Sequence, residues 1–424
     1  MFFLNLSRRL IPQFLLGNMV FFAAITLSFA DSEYVVEHHD PIESDTTLSV
    51  SKVVDLTLEK YPDATWLNSL EEEAAALAQR GDSWTAGASL AGLRFQEATS
   101  GTLHYIDAAV EVPLWNIGQR DAEQKTAKLA QSSTLSQAEA VKLRVAGLVR
   151  GALWNMALAG LSYEQAKIEL DITDQLVAKV QRRVELGDLP RADLLLAQSE
   201  SLQKRSAVTQ AEAELMHARK RYTSITQMTK VPGDYQEKLV ELTEIQQNHP
   251  ALAALNSQIE RKQAELNAIK LTGSGQTNVA VGINSDRFTN DPRSNMTESF
   301  NIGVTVPFGG SAHLAPQVAA VNVELNKLIA EREQLFRDLE QAHHEAEHNL
   351  EVNRVELGIA NELKQVAEDH FKMTQASFSV GEINLMDLLR IQSRTQQAVL
   401  NAKQRSVMLQ RDIALYNQAV GVTP

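Results

Sequence analysis

Gly187-Asp188-Leu189-Pro190-Arg191-Ala192-Asp193-Leu194-Leu195-Leu196-Ala197-Gln198-Ser199 returns 194 positions later as Gly381-Glu382-Ile383-Asn384-Leu385-Met386-Asp387-Leu388-Leu389-Arg390-Ile391-Gln392-Ser393. Val112-Pro113 returns at the same offset as Val306-Pro307. Proline and glycine stand 74 residues apart in both places, so nothing separates the copies by insertion. Chance similarity does not hold register over that distance, and the period is too long for a short solenoid repeat. The chain is a duplicated half.

Outward from the paired turns, each half reads in one order: a short helix, two strands, a very long helix, a tight turn and a helix running back. The first repeat is assigned to 51–230, with a short helix at 64–80, strands at 83–95 and 103–112, a long helix at 118–186 and a return helix at 190–228. A connector at 231–247 leads to the second repeat, 248–424. There the corresponding segments are a short helix at 251–271, strands at 277–288 and 298–306, a long helix at 311–380 and a return helix at 384–420.

No proline falls between Pro113 and Pro190, or between Pro316 and Pro424. Proline removes a donor and clashes with the preceding turn, so these stretches permit unbroken helices. At 1.5 Å per residue each long helix spans on the order of 100 Å. Val141, Val145, Leu148, Ala152, Met156, Ala159, Tyr163, Ala166, Leu170, Thr173, Val177, Val180 and Val184 alternate steps of three and four, the heptad spacing of coiled-coil packing. A second apolar line (Leu143, Ala146, Leu153, Ala157, Leu161, Ile168, Ile172, Leu176) gives the helix a neighbour on each flank.

The strands alternate with period two. Ile106, Ala108, Val110 and Val112 interleave with Tyr105, Asp107, Ala109 and Glu111. Val279, Val281 and Ile283, and then Phe300, Ile302, Val304 and Val306, do the same, giving one apolar and one polar face. The first strand, Trp84 to Phe95, alternates poorly. Aromatic residues sit near the strand ends: Trp84, Phe95, Tyr105, Trp115, Phe288, Phe300 and Phe308. An apolar outer band between aromatic girdles is how a membrane β-barrel presents itself to lipid. A soluble sheet packed on one face lacks a partner here, because no nearby helix offers a broad apolar face. Four strands cannot close a barrel, the smallest having about eight, so closure takes several copies. Three give twelve strands.

Composition and the N-terminus set the compartment. The 424 residues hold 53 acidic against 40 basic side chains, for a formal charge of −13, with no concentrated basic run to grip nucleic acid. There is no cysteine, which excludes disulfides, thiolate metal sites and a Cys nucleophile. Arg8 and Arg9, the apolar stretch Leu10 to Phe29 and the small residues of Ser28-Phe29-Ala30 read as a signal peptide, 1–30, cleaved after Ala30 rather than kept as an anchor. Residues 31–50 read as a flexible acidic lead-in, and no later run approaches the roughly 18–20 apolar residues of a membrane-spanning helix.

The duplicated order, the Val112-Pro113-Leu114-Trp115-Asn116-Ile117-Gly118 and Val306-Pro307-Phe308-Gly309-Gly310 joints and the paired Gly-x5-Asp-Leu-Leu turns resemble the TolC family of outer-membrane efflux proteins. The resemblance covers nearly the whole mature chain. It implies a mixed, mostly α protein with four β-strands per chain: a homotrimer joining a 12-stranded membrane β-barrel to a long α-helical barrel in the periplasm. It further implies a passive exit duct of a tripartite efflux or type I secretion system. The partners would be a periplasmic adaptor (membrane fusion) protein, an inner-membrane pump of the RND or ABC type and outer-membrane lipid, with no cofactor. Gly187, Asp188, Asp193, Gly381, Glu382 and Asp387 would then form the periplasmic tips that meet the adaptor and gate the pore. The loops 96–102 and 289–297 would face the cell exterior. Relatives often carry a lipidated N-terminal cysteine, which this chain lacks. The cargo (metal ions, drugs or polypeptides) is left open by the sequence.

The tips also have a local logic. Glycine ends a helix in the left-handed conformation, Pro190 suits the first turn of the next helix, and Asp193 puts negative charge at its N-terminus. Repeated around a pore mouth, such carboxylates would form an acidic ring.

Two other classes compete. His344-Glu345-Ala346-Glu347-His348 matches the H-E-x-x-H zinc-hydrolase helix. Against that, a seam through Leu339, Ala342 and Ala346 turns His344 and His348 to solvent, and no third ligand follows at the expected place. The expectation is therefore no catalysis and no metal centre, with His344 and His348, and His38-His39 in the lead-in, as weak metal contacts only. A structural periplasmic coiled-coil protein would explain the helices but not the strands.

Overall fold

The computed structural model describes residues 42–100, 103–242, 244–287 and 296–424. The leader, most of the lead-in with His38 and His39, Phe288 and most of the loop 289–297 lie outside the described residues. β1 (Glu43–Asp45), α1 (Val50–Lys60) and α2 (Asp63–Asp82) precede the hairpin of β2 (Leu90–Glu97) and β3 (His104–Leu114). Next come α3 (Gln119–Glu185), α4 (Arg191–Thr226) and the short β4 (Lys230–Pro232). α5 (Pro250–Thr272), β5 (Thr277–Arg287), β6 (Thr297–Thr305), α6 (Ser311–Ser379) and α7 (Leu385–Ala419) follow.

One order governs every level. The antiparallel sheet runs β2-β3-β5-β6. Beneath it, α2 packs on α3, α3 on α5 and α5 on α6. Toward the turns, α4 packs on α3, α3 on α7 and α7 on α6. The described residues from 42 onward therefore form a layered slab, one helix thick, spanned by α3 (67 residues) and α6 (69 residues). One long edge is made by β2, α2 and α4, the other by β6 and α6.

The main core sits halfway along α3, where Val141, Val145, Val149 and Leu153 meet Val53 and Val54 of α1 and Tyr222 of α4. By hydropathy α3 contains one stretch long and apolar enough to cross a membrane, which corrects the expectation that none follows residue 30. Its apolar run belongs with this contact core. Leu148 is exposed and Val149 fully buried, so the heptad line steps aside by one residue where α1 inserts. On α6 the buried line passes through His343, Leu350, Asn353 and Ala360, not Ala342.

The connector is tied across the slab in the order of the helices beneath it. Tyr235 packs edge-on to Trp154 of α3, with ring centroids 4.9 Å apart. Arg150 of α3, 1% exposed, donates from Nε and Nη2 to the two carboxylate oxygens of Glu237, both at 2.7 Å. Asn417 of α7 accepts from Val240 N and donates to Lys238 O. His343 of α6 meets Leu242 O at 3.0 Å and the Tyr416 hydroxyl at 3.2 Å.

Three segments depart from the sequence reading. The lead-in is not free up to residue 50: β1 pairs in parallel with β4, and Asp45 accepts from Thr47 N, Thr47 Oγ1 and Lys230 Nζ. The hydrogen bonds from Thr47 and Lys230 hold the Asp45 carboxyl below the usual range. Helix α1, with Ser49 accepting from Lys52 N as its cap, occupies a stretch given no element. The first strand begins at Leu90, not Ser83, because the Ser83 hydroxyl accepts from Thr85 N and Ser83 O accepts from Trp115 Nε1, turning 83–86 away from an extended path. Beyond the four-stranded sheet, the small β1–β4 pair adds two strands to the expected four.

Tyr222 yields a stability prediction. Its ring is fully buried and its hydroxyl donates to Lys230 O at 2.7 Å, and burial pushes its pKa up to about 12. The neutral form is favoured in the folded state, so this stabilisation is intact below the unfolded value near 10 and is lost as pH rises toward 12. Wild-type protein should lose on the order of 2 kcal/mol across that interval through Tyr222. Tyr222→Phe should lose correspondingly less, measured by denaturant titration at pH 9 and pH 11.5.

Candidate functional site

Two surfaces carry the chemistry, one at each end of the slab. At the strand end, cross-strand register sorts every side chain to a face. Leu93, Ala108, Ile283 and Phe300 form one row, with Ala91, Val110, Val281 and Ile302 beside it and Val112, Val279 and Val304 next. These rows share one face, and its large side chains are exposed, Leu93 by 78%. The opposite face carries Arg94, Asp107, Asn284 and Ser299 in one row and Leu90, Glu111, Ala280 and Gly303 in another. Between them lie Gly92, Ala109, Gly282 and Asn301. Asn301 Nδ2 reaches Asp107 Oδ1 at 3.5 Å, joining residues that are counterparts across the duplication.

Among the described residues no helix makes an extensive contact with either face of the sheet. An apolar face of this extent, left bare, is a site for lipid or for another protein surface. Ile106 to Leu114 is roughly 27 Å of strand at about 3.4 Å per residue, near the ~25 Å height of a barrel's apolar band. Phe95 and Phe300 lie toward the loop end of that face. Trp84 and Phe308 flank the sheet at its helix end, Phe308 being 93% exposed. Tyr105 pairs with Gln96 and Asp286 and so belongs to the polar face, out of phase with Ile106; it is not part of an outward girdle. Trp115 is half-buried beneath the hairpin, donating to Ser83 O at 3.0 Å.

At the far end the two turns have one conformation. Gly187 and Gly381 take φ of +82° and +81°. In the first, Gly187 N donates to Val184 O and Asp188 N to Arg183 O; in the second, Gly381 N donates to Phe378 O and Glu382 N to Ser377 O. This is the Schellman closure, with glycine in the left-handed position. Pro190 caps α4 from outside with extended backbone, one residue earlier than a first-turn position, and Asn384 caps α7 by accepting from Asp387 N. Asp193 and Asp387 stand in the first turns of α4 and α7, favourable to each helix dipole.

The turns are brought together. Leu176, Val180 and Ala197 pack with Phe378, Leu385 and Leu388, and Arg183 lies over the Phe378 ring at 5.2 Å while donating to Phe378 O. Gly187, Asp188, Gly381, Glu382 and Asp387 are exposed around this cluster, with Asp193 half-buried. A groove of about 510 Å³ opens beside it between α3 and the α6–α7 pair, with Lys179, Arg182 and Arg183 on its rim. Sequence reasoning missed this link, since Arg183 and Phe378 are far apart in the chain and both sit in ordinary helical register.

No protein-family model matches the sequence, and no curated protein does. Solved structures do match. The crystal structure of CusC, a transmembrane channel, aligns over 92% of this chain and 96% of its own at a TM-score of 0.71 and 12% identity. The chain has the TolC-like outer-membrane channel fold. The Campylobacter jejuni CmeC outer membrane channel shares this TolC-like fold over 92% of this chain and 90% of that one, at 14% identity and a TM-score of 0.67. So does the outer membrane protein VceC of Vibrio cholerae, over 88% and 97%, at 11% identity and a TM-score of 0.67.

The H-E-x-x-H stretch lies on the exposed side of α6. His344 and His348 are exposed on α6, and Gln341 Nε2 donates to Glu345 Oε1, engaging the would-be base. Among the described residues no three His, Asp or Glu side chains converge on one point.

Proposed function

We propose that this protein is an outer-membrane exit channel whose wall is built by three copies of the chain. The bare apolar sheet face carries the reading. With both sheet edges unpaired, each would expose a row of backbone donors and acceptors in lipid, which only closure into a barrel satisfies. The same order at every level lets the β6–α6 edge of one copy join the β2–α2–α4 edge of the next, a head-to-tail contact that closes by rotation. α6 presents an unpartnered apolar line for this, through Val352, Val355, Ile359, Leu363 and Val366, and α4 presents Leu195 and Leu202.

Side-chain size in the middle of the sheet supports three copies over two. Two copies give eight strands, a barrel just wide enough to be filled by its own side chains. The middle inward row holds Gly92, Ala109 and Gly282 with Asn301, little side-chain volume at that level, while Arg94, Asp107, Leu90 and Glu111 line the rows on either side. Three copies leave a hollow twelve-stranded duct continued by a helical tube through the periplasm. Cargo would be handed on by an adaptor and an inner-membrane pump docking at the turn end.

Opening would separate the α6–α7 hairpin from α3–α4. Beyond the apolar cluster that Leu176, Val180 and Ala197 form with Phe378, Leu385 and Leu388 at the turns, the seam between them is polar: Gln392 with Thr173, Lys403 with Gln165 and Gln404 with Ser162. Such contacts exchange for water at little cost, roughly 0.5–1.5 kcal/mol each, whereas the apolar pairing within each hairpin does not. The carboxylates of Asp193 and Asp387, repeated threefold, would ring the closed mouth. The double variant Asp193→Asn with Asp387→Asn should raise resting conductance and weaken block by multivalent cations in single-channel recordings; an unchanged trace removes the acidic ring from the account. The function itself is tested by adding detergent-extracted protein to a planar bilayer. Discrete ion-conducting steps are expected, and a silent bilayer with correctly inserted protein argues for a structural role instead.

A further inference from the structure

α6 carries His343, His344 and His348, and the fold treats them differently. His343 is buried and bonded to Leu242 O and the Tyr416 hydroxyl. His344 and His348 project from the exposed side one turn apart, their ring centroids 6.5 Å apart and their planes within 17° of parallel. Neither has a hydrogen-bond partner among the described residues. At 100° per residue, Glu340, Glu347 and Glu351 fall within about 60° of His344 around the helix axis, and all three are exposed. Two imidazoles therefore stand face to face in a field of carboxylates without an ion-pair partner among the described residues.

We propose that His344 and His348 form an exchangeable two-imidazole chelate for a divalent transition-metal cation. The i,i+4 spacing is the one at which two histidines on a helix ligate a single ion. Metal–nitrogen bonds of about 2.0–2.1 Å need the two nitrogens roughly 3–4 Å apart. Within one chain both rings are exposed and unbonded, on the same side of α6 as Val352 and Val355, and side-chain rotation closes that gap without backbone movement. Imidazole donors select Cu(II), Ni(II) and Zn(II) over Mg(II) and Ca(II), with Cu(II) held most tightly. With two protein ligands the remaining positions go to water or a carboxylate such as Glu351, so the ion is held loosely and no closed structural centre forms. The site is independent of any hydrolytic role for Glu345, which is bonded to Gln341.

The test uses the full mature chain, extracted in detergent as it assembles, in a non-chelating buffer with Cu(II) chloride as the probe. Calorimetry gives affinity and stoichiometry, and electron paramagnetic resonance reports the nitrogen ligands. Wild-type protein should take up one Cu(II) per chain with two-nitrogen coordination at this site, displaced by excess Zn(II) and not by Mg(II). His344→Ala or His348→Ala alone should weaken binding by roughly 100-fold, the gain that linking two ligands supplies. Glu345→Gln, and the control His38→Ala with His39→Ala, should keep the signal. The substituted side chains are exposed, and an unchanged circular dichroism spectrum verifies that the helix is intact. Undiminished Cu(II) uptake in His344→Ala with His348→Ala, or loss of the signal in the His38/His39 control, overturns the proposal.

Discussion

Replacing Arg150 with methionine should destabilise the protein by about 3–5 kcal/mol, the usual consequence of stranding one half of a buried ion pair. Arg150 is almost fully enclosed, grips both oxygens of Glu237, and donates from Nη1 to Gln418 Oε1 at 2.7 Å and Val422 O at 2.9 Å. One guanidinium thus fastens the connector and the C-terminal segment to α3. Methionine fills similar volume, so the loss is electrostatic rather than a cavity. Glu237, with a side chain 12% exposed, loses its cationic partner and keeps only the hydrogen bond from Asn417 Nδ2 at 3.0 Å. Arg150→Lys keeps the charge but cannot form the planar fork, and should fall between. Arg150→Met with Glu237→Met should regain most of the loss, because a matched apolar pair has no stranded charge. Denaturation followed by circular dichroism decides this; a single variant within about 0.5 kcal/mol of wild type would show that the pair does not hold the belt.

The second large effect is expected at the sheet. Val281 sits in the middle row of the apolar face, between Val110 and Ile302. If that face meets lipid, Val281→Arg places a cation near the bilayer centre, at about 2–4 kcal/mol per chain, incurred once for every copy in the ring. Ala280, its neighbour in sequence, points the other way and pairs with Glu111 and Gly303. Ala280→Arg should therefore insert into lipid vesicles nearly as well as wild type, while Val281→Arg should not. Equal insertion of the two variants would mean that the sheet faces are not lipid and lumen.

Much of this was legible because the signals were periodic. The alternation of Val110 and Val112 with Ala109 and Glu111 requires only that one face be apolar, and register does the rest. The phase of Tyr105 against Ile106 was also readable, and its place on the polar face followed from alternation alone. The heptad line of α3 was visible until α1 intruded: nothing local marks the step from Leu148 to Val149, because the cause lies about ninety residues upstream. β1 is three residues long and owes its pairing to β4, so no local pattern could announce it. The Arg150–Glu237 pair was likewise hidden, since a basic residue on a helix and an acidic one in a connector look like solvent-exposed charges until the fold buries them together. The strand assigned at Ser83 failed for a local reason: hydroxyl-to-backbone bonds at Ser83 outcompeted the extended chain.

The central claim is that one copy cannot seal its own sheet and that three share a wall. Native mass spectrometry of the mature protein extracted in mild detergent tests it most directly. Particles of three chains, with precipitation when detergent is withdrawn, are the predicted result; a monodisperse single chain that stays in solution without detergent would contradict it.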